Sequence, residues 1–233
     1  MSARWTDRFR RQPQESDAAL ARRAQILATE HWGLLAARGT AQSEVLTRIT
    51  IYLTLVSAGL VTIGLLGQAS GFQGWFAASA LSILGFLSLI GVLTQIRVMN
   101  VGEEDMMYVV AMNRLRVAYN DLDPVVAHYF LAASSDDREG MERTYSFLRR
   151  RSASHLIGSS NTLMMVVNAV VVGLTAGSLT AVTTGSLAAS IAVGTAVGVL
   201  LFGGSFWYSV ATFLSTWRRY EPLRRSPGPS PNW

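Results

Sequence analysis

Residues 49–96 read ITIYLTLVSAGLVTIGLLGQASGFQGWFAASALSILGFLSLIGVLTQI, 48 consecutive positions without one Asp, Glu, Lys or Arg. A second such stretch, residues 152–217, is 66 positions long. A bilayer core of roughly 30 Å takes about 20 apolar residues per helix, so the first stretch holds two spans and a turn, and the second holds two more with some to spare. All 20 basic and 15 acidic side chains fall within residues 1–48, 97–151 and 218–225. This partition excludes an ordinary soluble domain. It predicts an all-α integral membrane protein with four transmembrane helices in two hairpins and a small cytoplasmic helical module between them.

The chain divides accordingly. Residues 1–48 form an N-terminal amphipathic segment, 49–96 the first transmembrane hairpin, 97–157 the helical module, 158–213 the second hairpin and 214–233 a tail. Arg-rich segments stay on the cytoplasmic side, and all three charged segments share that side if each uncharged stretch is a hairpin. Both termini then lie inside, in a multi-pass protein of the cell membrane. Arg4, Asp7, Arg8, Arg10, Arg11, Glu15 and Asp17 occupy the region where a cleaved signal peptide would need an apolar core. The first residues are therefore expected to be retained. Every basic residue is Arg and none is Lys, which, with the abundance of Ala, Gly and Val, points to a GC-rich bacterial genome. The excess Arg flanks hydrophobic spans rather than forming a basic domain with interleaved aromatics, so orientation explains it and nucleic acid is not an expected partner.

Local signals place the elements. Leu20, Ala24, Leu27, His31 and Leu34 recur at the spacing of a coiled-coil seam on a helix capped by Ser16 or Asp17. The first span runs from about Ile49 to Leu66. Gly67, Gln68, Ser70, Gly71 and Gly74 make a turn, and Trp75 to Ile96 form the second span. Phe72, Trp75 and Phe76 fit an interfacial aromatic belt. Met107, Ala111, Leu115, Ala118 and Leu122 form an apolar stripe, Asp123-Pro124 starts a helix, and Asp136 with Glu139 resembles a capping box. Three cytoplasmic helices are thus predicted, near 100–121, 124–133 and 137–156, the first able to continue the second span. The third span lies within Ser160 to Ala181. The fourth begins near Leu187, with Gly203 and Gly204 as the expected bend and Trp207 and Tyr208 as inner anchors. The tail from Ser226 onward, SPGPSPNW, reads as disordered.

Small residues recur at helix-contact spacing: Ala78, Ser82 and Gly85 in the second span, Ala169, Gly173 and Gly177 in the third, and Ser190, Gly194 and Gly198 in the fourth. In lipid such stripes let backbones approach, within one protomer or between protomers, and three of them make a homo-oligomer an expectation. No charge lies inside a span, which weighs against proton-coupled carriers and voltage sensors. Asn161 and Asn168 share one face of the third span, and Asn168 with Thr54, Thr175 and Thr195 could line a polar path. Glu103, Glu104 and Asp105 lie just beyond the second span, where an oligomer would make them a vestibule ring that concentrates cations; pairing with Arg97, Arg114 or Arg116 is the plainer role.

Chemistry is otherwise sparse. The chain has no Cys, which excludes thiolate metal sites and cysteine nucleophiles. His128 with Asp121 and Asp123 lacks a metal-ligand spacing, and Gly203-Gly204-Ser205 lacks the following Gly of a serine hydrolase turn. No catalytic, cofactor or metal residue is assigned, and an enzyme is not expected. The arrangement of helix, membrane hairpin and cytoplasmic helices is broadly similar to small bacterial membrane effectors, including the SLATT group; the likeness is one of arrangement, and no residue motif carries it. The leading functional expectation is an oligomeric pore or channel-like protein with a cytoplasmic partner or gating module. The alternative is a non-conducting anchor or scaffold subunit. Membrane lipid is its solvent in either case.

Overall fold

The computed structural model describes residues 16–146 and 159–227, and among these every regular element is helical. Helix α1 spans Asp17–Ser70 and α2 Phe76–Leu122; a short 3-10 turn, Val126–Tyr129, leads to α3, Arg138–Tyr145. Helices α4, Ser160–Thr184, and α5, Leu187–Arg219, complete the chain. Of these, α1, α2, α4 and α5 are long and apolar enough to cross a membrane.

The first difference from the sequence reading is α1 itself. A separate N-terminal helix and a first span were expected, whereas one unbroken helix of 54 residues, about 81 Å long, contains both. Nothing between residues 17 and 70 stops a helix: there is no Pro, and Gly33, Gly39, Gly59 and Gly64 each cost only about 1 kcal/mol relative to Ala. Ser16 caps the start by accepting from the Ala19 N–H. At the other end Gly71, in the left-handed conformation (φ 61°), closes the helix onto the Gly67 carbonyl, and the Phe72 ring folds over Gly67 so tightly that a Cβ there would overlap it. Helix α2 runs on through the first cytoplasmic helix without a break, the continuation that the sequence allowed.

Cross-helix contacts fix the registers. Arg38 on α1 faces Asp105 on α2, and Gly59 lies against Leu87 and Ile83, so the two helices run antiparallel. Ser88 meets Thr175 and Gln95 meets Asn168, which sets α4 antiparallel to α2. Gly173 meets Gly194, and Asn161 Nδ2 reaches Ser209 Oγ at 3.5 Å, which sets α5 antiparallel to α4. One core cluster, Val45, Ile49, Tyr52, Val98, Val101 and Met164, joins α1, α2 and α4 where the uncharged stretches begin. A second, Val109, Met112 and Met141, collects Leu34, Phe213 and Trp217 around the charged end.

Four local expectations are revised. The helix expected at 124–133 is only the four-residue 3-10 turn after Pro124. The third module helix is capped by Asp137, whose carboxylate accepts from Gly140 N–H at 2.8 Å, not by Asp136, and its described part ends at Tyr145; the rest of 137–156 reaches residues outside those described. The inward face of α2 runs through Val98, Val101, Val109 and Met112, leaving Met107 exposed. Helix α5 continues through Gly203 and Gly204, which face open space. Of the tail expected to be disordered, residues 228–233 lie outside those described, and Ser226 is anchored as set out below.

Candidate functional site

The two glycine-bearing stripes of α4 and α5 face each other within one chain. A Cβ added to Gly173 would lie 2.7 Å from the Gly194 carbonyl oxygen, one on Gly194 would lie 2.8 Å from the Gly173 carbonyl, and one on Gly198 would lie 3.0 Å from that of Ala169. Gly177 stands equally close to the Ser190 carbonyl, at 3.0 Å. Backbone meets backbone along this seam. Ala78, Ser82 and Gly85 do the opposite: they are exposed, and nothing lies within 4 Å of where a Gly85 Cβ would be.

The acidic cluster is largely paired. Asp105 receives Arg38 Nε at 2.6 Å and Gln42 Nε2 at 2.8 Å, and the Tyr145 hydroxyl also donates to it. Glu104 takes Arg97 Nη1 at 2.9 Å, while the other arm of Arg97 holds Glu44 at 2.9 Å. Arg97 therefore bridges α1 and α2 at the edge of the uncharged stretch. Glu103 has no ion pair among the described residues. As partly exposed pairs these add little stability, so their role is to fix register.

Asn168 is fully buried and donates to Gln95 Oε1 at 2.7 Å. Thr175 bonds to Ser88 on α2 at 2.8 Å. Thr54 and Thr195 are exposed on α1 and α5. The four residues expected to share a path are thus not brought together within one chain: two tie α2 to α4 and two face outward.

The densest polar site, centred on Asp136, was not expected from the sequence. Its carboxylate, with no exposed side-chain surface, accepts from Arg114 Nε at 2.6 Å, the Tyr220 hydroxyl at 2.7 Å, and the N–H groups of Leu223 at 3.1 Å and Arg224 at 2.8 Å. Asp136 N–H returns a bond to the Arg224 carbonyl. Burial by itself pushes this carboxyl up, but the four donors outweigh it and hold it down at about 2. Burial, then the bond to this anion, pushes the Tyr220 hydroxyl up to about 12. Beside it Asp137 accepts from both N–H and Oγ of Ser226 at 2.7 Å, and Arg224 reaches Asp121 at 2.9 Å. Residues 220–226 are therefore a strap that ties the end of α5 to the corner between α2 and α3. The buried Asn113 completes that corner, giving its amide to the Ser135 carbonyl and accepting from Thr144 and Arg116.

The signal for this site was the Asp136-Asp137 pair after an irregular segment; one acid caps and the other is free to be buried. For the α2–α4 tie it was Gln95, a large polar residue inside an uncharged stretch. Among the described residues no group of three or more His, Cys, Asp and Glu stands together as a metal site. No protein-family model, curated protein or solved structure matches the chain.

Proposed function

We propose that the protein is a non-conducting four-span anchor of a bacterial cytoplasmic membrane. Its two transmembrane hairpins carry a cytoplasmic helical platform for a protein partner. The observation that carries this reading is the continuity of α1 and α2 from the uncharged stretches into a charged stalk. Residues 17–48 of α1 extend about 48 Å beyond the edge of the first uncharged stretch, fastened to α2 by Arg38–Asp105 and by Arg97 between Glu44 and Glu104. The Arg-rich segments favour the cytoplasm for that end. On the stalk Ile26 and Trp32 are 63% and 69% exposed, which supports a partner docking there. The pairing of Glu104 and Asp105 and the burial of Asn168 support this reading over a pore lined by them.

One observation favours the second reading, an oligomeric pore. Thr40, Ser43, Thr47, Thr50, Thr54 and Ser57 form an exposed line on α1 at heptad spacing, and five of the six hydroxyls donate to the carbonyl four residues back. Copies facing each other through this line would enclose a hydroxyl-lined axis.

Protein-only mass in nanodiscs and ion flux in liposomes separate the two. The anchor reading expects a monomer or dimer, no flux, and a Thr54→Cys thiol that water-soluble reagents do not reach. Four or more protomers with flux, blocked by modification of that thiol, overturn it. The absence of native cysteine makes the labelling clean.

A further inference from the structure

Tyr52 of α1 and Asn168 of α4 meet across Gly91 of α2. Tyr52 is 0% exposed and Asn168 1% exposed, and a Cβ on Gly91 would overlap both the Tyr52 hydroxyl and Asn168 Oδ1. Glycine at 91 is what lets side chains from the two flanking helices come this close over α2. Asn168 spends its amide on Gln95, at 2.7 Å. Its Oδ1 and the Tyr52 hydroxyl are the unspent groups, each buried without a hydrogen-bond partner among the described residues. One is an acceptor and the other carries a donor proton, and in an apolar interior neither is left unpaired without cost.

We infer that the Tyr52 hydroxyl donates to Asn168 Oδ1, which closes a Tyr52–Asn168–Gln95 chain that locks α1 and α2 onto α4. A small turn of the Asn168 amide or the tyrosine ring makes the bond. Its position gives it a positioning role. Tyr52 lies one turn beyond Arg48, where the charged part of α1 ends, and α1 otherwise packs chiefly along α2. The chain therefore makes a rotation of the α1 stalk felt by α4, so that the two halves of the molecule move as one.

The test is a double-mutant cycle on the full-length protein in nanodiscs, read as the folded-to-unfolded ratio. Tyr52→Phe and Asn168→Val are each expected to lower that ratio by about three- to tenfold, and the double variant should lose no more than the larger single change. If Tyr52→Phe leaves the ratio unchanged or raises it, and the two effects add, the bond does not exist. Should Asn168→Val fail to fold, infrared spectra of ring-labelled tyrosine in the unaltered chain decide the matter. Subtracting the Tyr52→Phe spectrum isolates its phenol C–O band, which lies at the donor position if the lock forms and at the free-phenol position if it does not.

Discussion

Gly194→Val is expected to destabilise the protein by about 3 kcal/mol, at the upper end of overpacking costs. A Cβ at this position stands 2.8 Å from the Gly173 carbonyl oxygen and 3.3 Å from the Gly177 Cα, all backbone. Backbone cannot turn aside as a flexible side chain can, so α4 and α5 must separate along the whole seam. Packing is the main source of helix association in lipid, so within the uncharged stretch little else holds α5, whose other fastenings, Phe213, Trp217 and the strap, lie at its charged end. The comparison is Gly64→Val or Gly203→Val, where an added side chain meets nothing within 4 Å; these should unfold at the wild-type midpoint. A denaturation midpoint in detergent or nanodiscs reads the difference. Equal midpoints for Gly194→Val and Gly203→Val would mean that α4 and α5 do not touch through this seam.

Asp136→Ala should cost about 2–3 kcal/mol, the range for losing hydrogen bonds to a charged group, because Arg114 is 39% exposed and water can replace its partner. The change removes at once the acceptor of Arg114 Nε, the Tyr220 hydroxyl and two backbone N–H groups, leaving Arg114 its bonds to Tyr220 and the Glu221 carbonyl. Tyr220→Phe, which removes one donor, should cost about 1 kcal/mol. The strap carries its own reporter: Arg224 and Arg225 are trypsin sites, and Arg224 is held by backbone on both sides of the peptide through Asp136. Asp136→Ala should make them cut early, and persistence of the wild-type cleavage rate would sink the strap. The pH dependence has a defined sign. The carboxyl is held below its ordinary 3.8, at about 2, so the folded state is favoured by its ionised form. That stability is fully present above about pH 4 and disappears as pH falls toward 2.

Two kinds of information were written differently in the sequence. The four spans were legible because charge is absent from two long intervals, and the solvation cost of charge leaves little freedom there. The continuity of α1 was not, because the loss of charge at Ile49 marks a change of surroundings and not a change of backbone. A helix passes from one medium to the other unless Pro or a capping sequence stops it. The inward face of α2 was hidden for another reason. It includes Asp105 and Asn113, so apolar spacing selected Met107, Ala111 and Leu115 when the true seam carries a carboxylate and an amide paired across it. The capping residue slipped by one position because two adjacent Asp offered the same chemistry, and only the burial of the first decides between them. The stripes of α4 and α5 carry small residues at contact spacing, and which surface each meets is a matter of register. Short turns at Gly71–Trp75 and Gly185-Ser186 settle it in favour of the neighbouring helix.

The unbroken length of α1 makes it a drive shaft, in which phase is shared from end to end. Inserting one residue near Ser43 would turn everything before it by about 100° and shift it by about 1.5 Å, so Leu34 and Arg38 would lose their places on α2 while Tyr52 kept its own. Inserting seven restores the angle to within about 20° and leaves only an axial slip of about 10 Å. Evolution of this chain is therefore geared: its stalk can change length only by near-whole numbers of turns, such as seven or eleven residues, and only if α2 takes the same step.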